Sequence, residues 1–216
     1  MSKTLYSLML SEDVVRAVDA AAHRLGMSRS ALVDRVLAEY VGLSTPEQRI
    51  GDVFSRIEQL LMSDRELVPC VVPNASTMSM KSALRVRYRP TVKYSVELYR
   101  ASGDSLGVLT AAYRTQSAEL LEAMERFFRL WRQTEERLLS PLLTGPIPYS
   151  LTAGRFTRAL VLPSRRDYTA DELAGAISGY VRFMDACLKR FLAGELTAER
   201  LESDYASRMQ AGAVLI

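Results

Sequence analysis

One histidine, His23, and two cysteines, Cys70 and Cys187, are all the imidazole and thiol in this 216-residue chain. A zinc or nickel site asks for more ligands of those kinds unless several carboxylates join them, so no metal is expected. His23 falls late in a helical pattern, near its negative end, where a partly exposed side chain is expected. The cysteines belong to no spaced motif and are expected as reduced packing residues of a cytoplasmic protein. Long apolar runs are missing too, since none approaches the ~18 residues of a membrane-spanning helix. The N-terminus has no basic segment leading into an apolar core and cleavage site, so neither a membrane partner nor secretion is expected. There is no Walker loop, Gly-x-Gly-x-x-Gly, Gly-x-Ser-x-Gly or His-Glu-x-x-His. Together these gaps point away from an enzyme, and no catalytic residue or cofactor is expected. Internal repeats and low-complexity segments are absent as well.

What is present begins with Lys3 to Gly42. Tyr6, Leu8 and Leu10 alternate with Leu5, Ser7 and Met9, the period of a strand. Ser11 is placed to cap a helix, with Glu12 and Asp13 in its first turn, where the helix dipole favours anions. Val14, Val15, Val18, Ala21, Ala22 and Leu25 make one apolar face, and Gly26 supplies a left-handed stop. Ser28 opens a second helix with Leu32, Val33, Val36, Leu37 and Tyr40 on its face, ended by Gly42. A strand and two short helices bury too little surface to be stable alone, so this stretch is expected to fold as a homodimer.

The order of these elements, the Leu10-Ser11-Glu12 junction and the run Gly26-Met27-Ser28-Arg29-Ser30 resemble the ribbon-helix-helix family, which includes the Arc and methionine repressors. The resemblance covers residues 1–45 and nothing beyond them. It implies an intermolecular two-stranded ribbon that enters the DNA major groove, with the start of the second helix on a phosphate. Carried over by position, Leu5, Ser7 and Met9 would face the base edges, with Lys3 at the strand's entry. Ser28, Arg29 and Ser30 would hold the phosphate. Charge keeps a second possibility open. Lys3, Arg16, Arg24, Arg29 and Arg35 are matched by Glu12, Asp13, Asp19, Asp34 and Glu39. A neutral module draws phosphate weakly, so the alternative to DNA binding is that the segment serves only as a dimer clasp.

Residues 46–216 read as one α+β domain. Thr45-Pro46-Glu47-Gln48 is a capping box that opens a third helix to about Ser63. Leu67 to Pro73 suggests an edge strand limited by its prolines, and Pro73 to Thr77 a loop. Alternation then predicts strands over Leu84–Arg89, Val92–Tyr99 and Leu106–Tyr113, an antiparallel meander with one covered face. Ser117 begins a long helix with a wide apolar stripe. Prolines and glycines from Pro141 to Gly154 predict a loop of about fifteen residues. Phe156 to Leu162 is a further strand, Thr169-Ala170-Asp171-Glu172 a capping box before another helix, and Thr197 the cap of a last one.

Charge concentrates in one place. Between residues 81 and 100, Lys81, Arg85, Arg87, Arg89, Lys93 and Arg100 stand against Glu97 alone, although the chain's net charge is only +3. Arg85, Arg87, Arg89 and Lys93, interleaved with Tyr88 and Tyr94, form a possible second nucleic-acid or anion site, suited to RNA or single strands. The structural alternative is a solvated face paired with Glu119, Glu122 and Glu125 of the long helix. The expected protein is an α+β cytoplasmic homodimer: a ribbon-helix-helix module over 1–45, then a mixed domain over 46–216 with an antiparallel sheet and long helices. Its expected work is DNA-binding transcriptional regulation, with an effector or protein partner on the larger domain. The competing expectation is a nucleic-acid-binding accessory of a plasmid, conjugation or defence system that uses the basic strand over 85–93.

Overall fold

Local sequence signals become helices first. In the computed structural model, residues 5–43, 45–62, 64, 66–70, 76–84, 90–100, 105–143, 145–163, 166–212 and 216 are described. The chain divides into two units, Met1–Arg49 and Ile50–Ile216. The first holds α1 (Glu12–Arg24) and α2 (Arg29–Tyr40). Between them Gly26 takes φ 62°, a backbone conformation that costs a residue with Cβ. Met27 N–H then donates back to the Ala22 carbonyl at 3.1 Å, which closes the end of α1. Ser11 occupies the position before α1, yet its hydroxyl makes no capping hydrogen bond; Ser28 does cap α2, accepting from Ala31 N–H.

α3 (Pro46–Leu61) is opened by the expected box, with Thr45 N–H donating to Gln48 Oε1 and Gln48 N–H to Thr45 Oγ1. The second unit is an α+β layer structure. β1 (Leu67–Cys70), β2 (Thr77–Ala83), β3 (Thr91–Leu98) and β4 (Gly107–Tyr113) pair in succession. α4 (Ala118–Leu139) and a 3-10 turn (Ser140–Leu142) follow, and then β5 (Tyr149–Thr152) and β6 (Arg155–Leu160). They complete an antiparallel sheet in the order β1-β2-β3-β4-β6-β5. α5 (Ala170–Leu192) and α6 (Ala198–Gln210) close the unit.

One face of the sheet is covered. Phe128 of α4 stacks on Tyr113 of β4 and Phe156 of β6, at ring-centroid distances of 5.6 and 4.7 Å. Asp185 of α5 accepts from Ser82 Oγ of β2 and Tyr94 Oη of β3. Arg56 of α3 pairs with Asp171 of α5, and Tyr205 of α6 packs edge-on against Trp131 of α4. The apolar residues at alternate positions, Val92, Tyr94, Val96 and Leu98 among them, are buried beneath these helices.

Two expectations change. The segment from Pro141 to Gly154 is not one long loop: a 3-10 turn and β5 occupy it. Tyr149 and Leu151 are less exposed than Ser150 and Thr152, and Ala159 N–H bonds to the Pro148 carbonyl. That pattern is short and lies directly behind two prolines, which obscured it. β2 was not anticipated, because its inward positions are Met78, Met80 and Ser82, none of them a strong strand former. The strand expected from Leu84 is represented by Leu84 alone, whose N–H bonds to the Pro90 carbonyl; residues 85–89 lie outside the described residues. No described helix is long and apolar enough to cross a membrane.

Candidate nucleic-acid interface

Residues 5–10 lead directly into α1 and pair with no described strand of the chain. Leu5 and Met9 are fully exposed at 96% and 102%, while Leu8 and Leu10 are half covered at 51% and 48%. That difference follows the expected alternation. Tyr6, at 81%, does not follow it within a single chain. Ser7 is exposed beside Leu5 and Met9, and Lys3 lies outside the described residues.

At the start of α2, Ser28 Oγ accepts from Ala31 N–H at 3.3 Å and lies 3.3 Å from Ser30 Oγ. The N–H groups of Arg29 and Ser30, in the first turn, have no partner within the helix. The Arg29 guanidinium is paired with Asp19 of α1, and both side chains are exposed. Thus the structure brings Ser28, Arg29 and Ser30 together at one helix end, with an acid of the same unit already on the arginine.

The expected second site divides. Arg85, Arg87 and Arg89 lie outside the described residues, whereas Lys93 projects from β3 on the face opposite the helices. For Lys93 the two readings of this strand can be compared with the described contacts. Acids of α4 cannot neutralise Lys93, because α4 covers the other face; Glu122 and Glu125 pair with Arg126 and Arg129 of their own helix.

Strand register places new partners beside Lys93. Across the sheet, Val68, Lys81, Lys93, Ala112, Arg155 and Thr152 are directly opposite one another in turn. Lys81 and Lys93 are therefore cross-strand neighbours of like charge, and Arg155 lies two strands further on. All three are exposed and have no ion-pair partner among the described residues. The adjacent row on the same face is Cys70, Ser79, Ser95, Thr110, Thr157 and Ser150, with Ser79 and Ser95 hydroxyls 2.9 Å apart. Lys81 belongs to the basic run but is not placed in the expected site, and Arg155 escapes notice in the sequence because it stands 62 positions from Lys93; only the register unites the three.

The helix side is organised by a fully buried ion pair, Arg158 Nε to Glu135 Oε2 at 2.9 Å. Tyr149 donates to the same oxygen at 2.8 Å, and Tyr180 and Tyr205 donate to Oε1 at 2.8 and 2.7 Å. Burial, reinforced by the Glu135 charge, raises all three phenols, which therefore remain donors. Burial works against the Arg158 charge, but Glu135 outweighs it and keeps the guanidinium protonated. Trp131 Nε1–H donates to Tyr180 Oη at 2.8 Å, while Arg158 Nη2 has no partner. A recess of about 40 Å³ beside Glu135 and Tyr149 has room for a little water but not for an organic cofactor. With both Glu135 oxygens engaged, this cluster ties α4, β5, β6, α5 and α6 together. No group of three or more His, Cys, Asp or Glu suited to a metal ion occurs among the described residues.

Comparison with protein-family models, curated proteins and solved structures finds no match to the chain.

Proposed function

We propose that this chain is a dimeric, sequence-specific DNA-binding transcriptional regulator. Residues 1–45 of two copies build a ribbon-helix-helix module, and residues 46–216 carry the domain for an effector or protein partner. The observation behind this reading is the apolar surface of the N-terminal unit. Within one chain only Ala22 and Leu32 of its helices are buried, while Leu8, Leu10, Val14, Val15, Val36 and Leu37 stand exposed. Short helices draw their stability from packing such faces, and a contiguous exposed apolar patch marks an interaction site. A second copy covers these faces and offers residues 5–10 the antiparallel partner they lack.

In that dimer Leu5, Ser7 and Met9 face a major groove, Lys3 stands at the strand's entry, and Ser28, Arg29 and Ser30 hold phosphate. An exposed ion pair such as Arg29–Asp19 contributes at most ~1 kcal/mol, so phosphate competes for the guanidinium. Light scattering at micromolar concentration should return a dimer. Duplex from beside the chain's own gene should bind more tightly than random duplex. Arg29→Ala should weaken both alike and lower the slope of log K against log salt by about 0.9 for each phosphate that is no longer neutralised. A monomer with intact N-terminal helices would sink the reading, and a variant with altered sequence preference but an unchanged slope would remove Arg29 from the phosphate.

A further inference from the structure

We infer that the sheet face of the second unit opposite that unit's described helices binds a phosphodiester backbone through Lys81, Lys93 and Arg155, an interaction that does not depend on the N-terminal ribbon. Like charges directly opposite on neighbouring strands destabilise a sheet, and Lys81 faces Lys93 with no acid between them. The strand spacing of about 4.8 Å puts Arg155 roughly 10 Å beyond Lys93 and roughly 14 Å from Lys81. Three cations thus run across the strands in one line. The one acid on the described part of this face, Glu97, stands two rows away, opposite Thr77 and Val108.

The neighbouring row fixes the class of ligand. Ser95, Thr110 and Thr157 lie one two-residue step, roughly 7 Å, from Lys93, Ala112 and Arg155 on the same strands. Hydroxyls beside lysine and arginine are the groups that contact nucleic-acid backbones. No aromatic side chain stands in either row, so nothing there stacks on a base. Val68 is the one large exposed apolar side chain in these rows and the rest are small or polar, so they offer an apolar partner little to bury. The ligand is therefore a backbone bound without regard to sequence.

The test uses the full chain and a Lys81→Gln, Lys93→Gln, Arg155→Gln triple variant, titrated with duplex and single-stranded DNA of equal length over a range of salt. The variant's slope of log K against log salt should fall by about 0.9 per cation on duplex or about 0.7 on single strands. The arm that responds names the form bound. Thermal stability should hold or rise, since the substitution removes a repulsion. Unchanged affinity and slope in both arms overturn the inference while leaving the ribbon reading intact. Loss of salt-sensitive binding from a protein that never distinguished its own duplex from random duplex supports the inference and defeats the ribbon reading.

Discussion

Glu135 shows how one residue can hold a unit together. Its carboxylate accepts from Arg158, Tyr149, Tyr180 and Tyr205, side chains drawn from four other elements. Taking such a pair out of water is costly, and removing one member leaves the other buried and uncompensated. Arg158→Met or Glu135→Leu should each lower stability by about 3–5 kcal/mol in urea unfolding. The double variant should lose less than the sum, because neither charge is then stranded. Additive losses would show that the two residues act independently. Neither partner was legible in the sequence: Arg158 sits in a run that reads as an ordinary strand, and Glu135 in a helix rich in acids.

The elements were more legible than their contacts. Caps at Ser28, Thr45, Ser117, Thr169 and Thr197 set helix starts through bonds between neighbours in sequence, so local reasoning reached them. β2 and β5 were missed because methionine, serine and nearby prolines weaken a local signal that cross-strand pairing overrides. The row from Lys81 to Arg155 is a property of register, which no single stretch encodes. Register also explains Gly107 at the start of β4. A Cβ there would lie 2.0 Å from the Glu97 carbonyl oxygen of β3, against backbone that has little freedom to move. Gly107→Ala should therefore destabilise the second unit by about 1–3 kcal/mol, the usual cost of overpacking. A melting temperature equal to that of the unsubstituted protein would show that the β3–β4 pairing yields there.

At the scale of the molecule, the two units differ in what sustains them. Ile50–Ile216 has its own buried core and a six-stranded sheet, while the helices of Met1–Arg49 have apolar faces that the chain leaves open. Unfolding of Met1–Arg49 should depend on protein concentration by mass action, and unfolding of Ile50–Ile216 should not. The chain's single tryptophan makes the two separable by light. Trp131 is wholly buried, with Tyr180, Tyr205 and Phe183 around it at 5.4 to 5.8 Å. Its emission reports the larger unit only, fed by excitation passed from the two tyrosines, and the N-terminal helices are silent at that wavelength. Far-ultraviolet circular dichroism sees both units. A dilution series followed by both probes should therefore show helix signal lost while tryptophan emission holds steady, an optical difference that isolates the smaller unit without any label.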